Sequence, residues 1–376
     1  MDFELNDTQK AVQQTFRKFV DERVKPKAAE IDEKKEYPLE LLKEVGKLGF
    51  FGMRYPEKDG GTGMDIISYC LALIELARGS LSLAAPCMMQ SLMATYFLHR
   101  FGDEEILKDY FKPALEGAKI GGICFTEPNA GSDLNAIATV AKVRDDGFVM
   151  SGQKTWITSA PYADFFTVFS RTDNHDKLSV FIVPAHLEGV QVGRNIDKLG
   201  VRGSITSEVT FDEVRLPKNC LLGGIGNGTE YLSEILAEIR IMTAALAVGV
   251  ATAAFEDAIA YAKTRVQFGR PIGKFQAIRM HAADMAVQLE TSKQMLMYVA
   301  WLSDQNLPRW KEANIVKLYA SECANSICDL ASRILASYGY ATEYPIERYW
   351  RDVRFTLIGG GTSEILKINI ARELGL

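Results

Sequence analysis

Trp156 and Thr158 are spaced so that they could bind one flat ring together. Side chains two positions apart on a strand lie on the same face, so the indole could stack on such a ring while the hydroxyl hydrogen-bonds to it. Upstream, Gly131 and Ser132 form a pair in which the glycine lets backbone amides approach a ligand closely. An ordinary edge strand and an ordinary turn explain these segments equally well, so neither identifies a site alone.

Two later segments could bind an anion. Arg265 follows a predicted helix, where its guanidinium could make a forked contact with phosphate oxygens. A helix C-terminal cap with a favourable charge is the alternative. Gly359, Gly360 and Gly361 open the last predicted helix, and such a turn leaves backbone amides free for a ligand. A tight loop is the alternative here, so both segments need support from the rest of the chain.

The composition narrows the classes of partner. The 376 residues carry a net charge of −5 without a basic block, which argues against a nucleic-acid partner. The six cysteines form no CxxC pair and the four histidines are dispersed, so we expect reduced thiols, no metal site and a cytoplasmic location. Neither a long apolar run nor an N-terminal secretion signal is present, so no membrane span is expected.

The order of predicted elements divides the chain into three units. Residues 1–118 are predicted to form an N-terminal helical domain that begins with an Asn6 cap. Residues 119–228 contain short β-branched runs and an Asp146-Gly147 hairpin turn, which predict a middle β domain. Residues 229–376 return to long helical patterns. The fold class is therefore α+β and multi-domain, with a central β-barrel or sandwich and a C-terminal four-helix bundle.

Five segments in a fixed order make the whole chain resemble the acyl-CoA dehydrogenase family. They are TEPNAGSD at 126–133, KTWIT at 154–158, RVQFGRPI at 265–272, YGYATEYPIER at 338–348 and GTSEI at 361–365. The resemblance implies an FAD-dependent oxidoreductase acting on the CH–CH group of an acyl-CoA thioester, by dehydrogenation or by the reverse reduction. It also implies a homotetramer built as a dimer of dimers, and electron-transferring flavoprotein or a similar electron carrier as partner.

The resemblance also assigns residues to the cofactor. The isoalloxazine ring would be lined by Phe125, Thr126, Trp156 and Thr158. Gly131 and Ser132 would lie near the flavin phosphates or the acyl-CoA. The FAD of a neighbouring subunit would be reached by Arg265, Gln267, Phe268 and Gln276. Thr362 and Glu364 would hold the FAD at the C-terminal segment. Arg333 and Ser337 replace a glutamine and a glycine of the family, and Arg333 could still meet the pyrophosphate.

The chain departs from the family at the position of the base that removes the α-proton. Gly360 stands where most members have a glutamate, although its backbone N–H could still polarise the thioester carbonyl. A subset of the family places the glutamate immediately before Arg240, which borders the thioester site, but that residue here is Ile239. Glu238 is a weak candidate base, because it is rotated by about 100° around the helix and is expected to be solvated.

Three functions follow from this departure. The first is a dehydrogenase or reductase for an unusual acyl group, such as a cyclic or unsaturated one, with the acid or base relocated. Cys87 or a water could then serve as the base. The second is a lyase or desulfinase type of flavoprotein that works without net oxidation. The third is a non-catalytic FAD-binding paralogue. Flavin reduction by acyl-CoA esters distinguishes the first from the other two.

Overall fold

A computed structural model describes residues 4–173 and 175–376. Its N-terminal part is helical, and Asn6 and Gln9 form the predicted capping box at its start. The helices are α1 (Asp7–Phe19), α2 (Ala28–Lys34), α3 (Leu39–Lys47), α4 (Ile66–Gly79), α5 (Leu81–Met89), α6 (Thr95–Phe101), α7 (Glu104–Ile106) and α8 (Lys112–Leu115). Single π-helical turns join α5 to α6 and α7 to α8, so that the chain continues through them without a loop.

The middle of the chain forms one mixed sheet. Its strands are β1 (Gly121–Cys124), β2 (Val140–Arg144), β3 (Gly147–Thr158), β4 (Phe165–Thr172), β5 (His175–Pro184), β6 (Val190–Asn195), β7 (Thr206–Pro217) and β8 (Leu221–Leu222). The order is β6-β7-β3-β2-β4-β5-β8, and β1 also pairs with β4. The predicted β2–β3 hairpin is confirmed, but its turn lies one residue earlier than predicted. Arg144 pairs with Gly147, so Asp145 and Asp146 form the turn and Gly147 begins β3.

The sheet does not close into a barrel within the described residues. Its end strands are β6 and β8, which pair with β7 and β5 rather than with each other. β8 has only two residues, which is too short to close a barrel. The pairings of β1 and β2 with β4 are parallel and the others are antiparallel, which is why the sheet is mixed. Of the two β architectures considered from the sequence, the closed barrel is therefore wrong.

The C-terminal part packs around one long buried helix. It comprises α9 (Gly228–Thr264), the two-stranded hairpin β9 (Val266–Gln267) and β10 (Arg270–Pro271), α10 (Gln276–Asp304), α11 (Trp310–Leu335), α12 (Ile346–Val353) and α13 (Ser363–Glu373). α9 packs against α10, α11 and the N-terminal α4. Every residue from 237 to 254 of α9 is buried, so this helix forms the centre of the helical core.

Two helical stretches are long and apolar enough to cross a bilayer, namely Leu81–Phe101 and Gly228–Thr264. Within their most apolar windows, 89% and 94% of the residues are buried inside the protein. Core helices have the same composition as membrane spans when they are surrounded by other helices. We therefore interpret both stretches as core helices.

Candidate active site

The turn that carries Gly360 lies against the central helix α9. Gly360 and Gly361 have φ values of +72° and +107°, a backbone region in which glycine is favoured. A Cβ atom on Gly360 would come 2.8 Å from the hydroxyl oxygen of Thr243 in α9. The Thr243 hydroxyl itself donates a hydrogen bond of 2.8 Å to the Ile239 carbonyl. Glycine at position 360 is therefore favoured both by the backbone conformation and by the close approach to α9.

The backbone N–H of Gly360 is available to a ligand. Gly359 N–H donates to the Phe355 carbonyl at 2.9 Å, whereas no hydrogen bond from the N–H of Gly360 occurs within residues 4–173 and 175–376. A free amide beside a core helix can bind a carbonyl oxygen. This geometry supports the role that the resemblance assigned to Gly360, which remains a prediction.

Glu238 is buried, and the expectation of a solvated carboxylate is wrong. Its side chain is 8% exposed and forms a two-pronged ion pair with Arg54, with 2.8 Å between Arg54 Nε and Glu238 Oε1. Arg54 is also within cation–π distance of the rings of Tyr55 and Tyr96. The reason is tertiary: this side of α9 faces the N-terminal helical part rather than solvent. The ion pair with Arg54 stabilises the charged form of Glu238 and holds both of its oxygens toward the N-terminal helices, which argues against a role as the base.

Arg240 is a buried cation whose hydrogen-bonding capacity is largely unused. It is 4% exposed, and its Nε and Nη1 atoms have no hydrogen-bond acceptor in the described part of the chain. The guanidinium lies 4.3 Å from the centroid of the Trp310 ring. Burial lowers the pKa of Arg240 to about 10, so the group stays charged at neutral pH. Buried polar groups are normally paired, so these atoms indicate a site for an anionic or carbonyl ligand.

Lys317 is a second buried cation at the same turn, and it was not among the residues predicted from the sequence. Its Nζ donates a 2.6 Å hydrogen bond to the Gly361 carbonyl, and the residue has no exposed surface. Burial, followed by the charge of Arg240, lowers the pKa of Lys317 to about 8. The available signal was its spacing, because Lys317 lies on the same face of α11 as the apolar Ala313, Val316 and Ala320.

Two of the predicted flavin segments are brought together in the middle part of the chain. The N–H of Thr155 donates to the Thr126 carbonyl at 2.9 Å, so the segment of Phe125 and Thr126 lies beside that of Trp156 and Thr158. Beneath them, Lys154 is fully buried and donates to Glu127 at 2.7 Å and to the carbonyls of Phe125 and Phe169. Lys154 belongs to the KTWIT segment and Glu127 to the TEPNAGSD segment, but the buried ion pair between them was not predicted.

The exposed indole of Trp156 is the observation that fits a bound flavin. Trp156 lies where the β3–β7 register shifts, with φ of +61°, and 55% of its surface is exposed. A bulge re-aims a strand side chain, and here it leaves a large aromatic surface uncovered. Phe125 is half-buried against Phe169, with ring centroids 4.2 Å apart. Gly131 and Ser132 are exposed, and a Cβ on Gly131 would meet no atom within 4 Å. FAD bound here would supply the acceptor for a hydride.

The residues predicted to reach a neighbour's FAD form a separate exposed group. Phe268, 93% exposed, lies in the β9–β10 turn, and Arg265 lies over the Tyr338 ring at 5.4 Å. Gln267 and Gln276 are also exposed. Within one chain these side chains are open to solvent. Their predicted contact with another subunit remains a prediction.

The other C-terminal cofactor candidates have mixed environments. Arg333 is exposed and pairs with Asp329 at 2.7 Å, and Ser337 is exposed after Ala336. Ala336 has φ of +53°, so it occupies a conformation that suits the glycine usual in the family. The Thr362 side chain caps α13 by accepting from the N–H of Ile365, and Glu364 is exposed in the first turn. Their contacts with FAD remain predictions.

Comparisons with known proteins identify the family. The chain matches the N-terminal domain of acyl-CoA dehydrogenase over residues 6–118, the middle domain over 122–214 and the C-terminal domain over 226–375. It is 55% identical to benzylmalonyl-CoA dehydrogenase of Aromatoleum aromaticum, with 100% of both chains covered. The structure of butyryl-CoA dehydrogenase from Megasphaera elsdenii superposes with a TM-score of 0.96 at 35% identity, again over 100% of both chains.

A comparison with a solved structure also supports FAD as the cofactor. A structure of PigA with FAD and proline has a TM-score of 0.96 at 28% identity and covers 100% of both chains. The predictions of an acyl-CoA dehydrogenase fold, an FAD cofactor and an oxidoreductase are confirmed. This chain belongs to the acyl-CoA dehydrogenase family and is an FAD-dependent flavoenzyme that acts on the CH–CH group of an acyl-CoA.

Proposed function

We propose that the substrate is an acyl-CoA that carries a carboxylate on Cα, and that loss of CO2 takes the place of α-proton removal. The observation that carries this proposal is the unpaired buried Arg240 beside a turn that has no carboxylate. A base that accepts a proton must lie within hydrogen-bond reach of it. At this turn the side chains of Arg240 and Lys317 supply cations instead.

The position of Arg240 connects it to the turn. Arg240 precedes Thr243 by three residues in α9, so both side chains lie on one face of the helix. Thr243 contacts Gly360, and the charge of Arg240 acts on Lys317, which is bound to the same turn. A substrate carboxylate that enters this buried region would be costly to desolvate without a partner. Arg240 can neutralise it and donate a hydrogen bond to it.

The reaction balances without a protein base. Breaking the bond between Cα and the carboxylate releases CO2 and leaves the electron pair on Cα as the thioester enolate. The negative charge thereby moves from the carboxylate to the thioester oxygen, where the free N–H of Gly360 can donate to it. A hydride leaves Cβ for the bound FAD, and the products are CO2 and the α,β-unsaturated acyl-CoA.

The name of one relative supports the same substrate class. A benzylmalonyl-CoA ester has its second carboxylate on Cα, and the relative named for it is 55% identical to this chain. A cyclic or unsaturated ester would still need a proton acceptor. Glu238 is occupied by Arg54, and burial raises the pKa of the Cys87 thiol, which keeps it protonated. The α-carboxylated ester therefore has more support than the acyl groups considered from the sequence.

The test uses two esters that differ in one group. Benzylmalonyl-CoA and 3-phenylpropionyl-CoA differ only by the carboxylate on Cα. With the purified holoenzyme under anaerobic conditions, we expect benzylmalonyl-CoA to bleach the flavin and to release one labelled CO2 per flavin. The rate with the 3-phenylpropionyl ester should be lower by a factor of roughly 10² or more, because no base is positioned for it. Equal rates would refute the proposal. CO2 release without bleaching would identify the non-oxidative lyase, and neither signal would indicate a non-catalytic paralogue.

We also propose that the chain works in the cytoplasm as a homotetramer, a dimer of dimers, and passes electrons to electron-transferring flavoprotein or a similar carrier. The assembly would cover large apolar side chains that are exposed on the single chain. They include Phe268, Tyr340 and Ile358, which are 93%, 89% and 66% exposed. Sedimentation of the FAD-loaded protein tests the tetramer, and a monomer would refute it.

A further inference from the structure

Polar side chains on one face of α11 hold the glycine turn from both ends. Before the turn, the Ser321 hydroxyl donates to the Thr356 carbonyl at 2.9 Å. Within the turn, Lys317 Nζ donates to the Gly361 carbonyl at 2.6 Å. After the turn, the Ser363 hydroxyl donates to Glu322 Oε1 at 2.7 Å. The conformation of the turn is thus set by α11 as well as by its own glycines.

Lys317 differs from the other two anchors because it binds inside the turn. Gly360 and Gly361 both have positive φ, and glycine has many alternative conformations of similar energy. An anchor on the Gly361 carbonyl restricts those alternatives. The charged groups around Lys317 are Arg240 on α9, Glu322 on α11 and Glu364 on α13. A buried lysine in this setting is unfavourable unless its ammonium group has a strong acceptor, and the Gly361 carbonyl is that acceptor.

We propose that Lys317 is a positioning residue for the reaction. By binding the Gly361 carbonyl, it fixes the turn so that the free N–H of Gly360 points at the thioester carbonyl of the bound ester. This inference rests on the proposed function, because it takes the ester carbonyl to bind at Gly360. Preorganised donors stabilise developing charge more than mobile ones do, so loss of the anchor lowers the rate of the chemical step more than the binding of the ester.

The first experiment compares Lys317→Met with the matched control Lys293→Met. Lys293 lies in α10, and burial lowers its pKa as it does that of Lys317, but its charged neighbours include Glu290 and Glu256 rather than groups at the glycine turn. For Lys317→Met we expect a roughly 10- to 100-fold lower maximal rate of flavin reduction, with KM nearly unchanged. The carbonyl stretching frequency of bound cinnamoyl-CoA should move back toward that of the free ester. Lys293→Met should keep both the rate and the frequency.

Two results would overturn the proposal. One is a Lys317→Met enzyme with an unchanged rate and an unchanged carbonyl frequency. The other is a rate that falls only in proportion to lost FAD or lost thermal stability, while the frequency stays as in the wild type. The frequency needs ester binding but no turnover. It therefore decides on Lys317 even if α-carboxylated esters prove not to be substrates.

The second experiment needs no destabilising substitution. The pKa of Lys317 is lowered to about 8, so its ammonium group deprotonates at mildly alkaline pH and becomes a weaker donor. At saturating ester, the wild-type rate of flavin reduction should fall as the pH rises through about 8. Lys317→Arg should lose this alkaline limb because guanidinium stays charged. A flat wild-type profile between roughly pH 7 and 9.5 would contradict the proposal, whether or not Lys317→Met folds.

Discussion

Gly360 lies directly against Thr243, with 2.8 Å between the position of a Cβ atom on Gly360 and Thr243 Oγ1. This contact explains why the glycine at the family's base position cannot be exchanged freely. A side chain at position 360 would meet α9 and would also occupy a left-handed backbone conformation, which costs an ordinary residue about 1–2 kcal/mol. The predicted loss of the base at position 360 thus coincides with a turn that packs closely against α9.

A glutamate at position 360 should work as a base only when the Thr243 side chain is made smaller. The sequence predicts that Gly360→Glu adds ordinary α,β-dehydrogenation of a saturated straight-chain ester, with a gain of roughly 10²–10⁴-fold. The structure lowers that expectation for the single variant, because the contact with Thr243 misplaces the new side chain. Gly360→Glu combined with Thr243→Ala should show the larger gain in the rate of flavin reduction by butyryl-CoA. Thr243→Ala alone is the control, and brisk wild-type oxidation of butyryl-CoA would contradict the account.

Removing the charge of Glu238 should affect stability rather than chemistry. Glu238→Gln leaves Arg54 buried without its ion-pair partner, and breaking such a pair destabilises a protein by up to about 3–5 kcal/mol. We expect a lower denaturation midpoint and a nearly normal rate of flavin reduction per folded, FAD-loaded enzyme. Replacing both Arg54 and Glu238 by methionine should recover part of the stability. A folded, stable Glu238→Gln enzyme that cannot reduce its flavin would show that Glu238 is the base after all.

Arg240 should discriminate between esters. If its free nitrogen atoms bind the α-carboxylate, Arg240→Met should weaken kcat/KM for benzylmalonyl-CoA by roughly 10- to 100-fold, the range expected for a charged hydrogen bond. The slow reaction of 3-phenylpropionyl-CoA should change much less, which makes this ester an internal control. Arg240→Lys keeps the charge, so its kcat/KM for benzylmalonyl-CoA should lie between that of the wild type and that of Arg240→Met. Equal losses for both esters would mean that Arg240 supports the site without contacting the carboxylate.

Arg265 should couple flavin retention to assembly. Its exposed guanidinium lies over the Tyr338 ring and is predicted to act on the FAD of a neighbouring subunit. Arg265→Ala should therefore lower the FAD content and shift the sedimentation profile toward smaller species. Arg144→Ala is a suitable control, because Arg144 is an exposed arginine on the surface of β2. A monomer that keeps its full FAD would argue against the coupling.

Asp352 should make stability depend on pH. Burial raises its pKa to about 7, although the Val201 N–H donates to it at 2.5 Å and lowers the pKa in part. The folded protein thus holds this proton more tightly than the unfolded chain, whose aspartates titrate near pH 3.9. The contribution of Asp352 to stability is complete below about pH 4 and is lost as the pH rises toward 7. Asp352→Asn should flatten the dependence of the denaturation midpoint on pH over this range. If the midpoints of the wild type and of Asp352→Asn change in parallel with pH, Asp352 is not the group responsible.

The sequence by itself determined the family and the fold class, and it predicts that Gly360 replaces the usual base. These conclusions depend on residue identities and their order, such as the TEPNAGSD, KTWIT and GTSEI segments and the glycine at 360. Local features were also predictable, because they depend on neighbours in the chain. The capping box of Asn6 and the β2–β3 hairpin are examples, and both occur in the structure, although the hairpin turn lies one residue earlier than predicted.

Only the tertiary structure decided which polar groups meet. Arg54 and Glu238 are separated by 184 positions, and residues 237–254 of α9 are all buried, so no apolar periodicity could show which face meets the N-terminal helices. The bond from Lys317 to Gly361 likewise joins two elements that packing alone brings together. The free nitrogen atoms of Arg240 can be recognised only when every neighbour is in place. An unsatisfied group is a property of its surroundings, and the sequence does not specify those surroundings until the chain has folded.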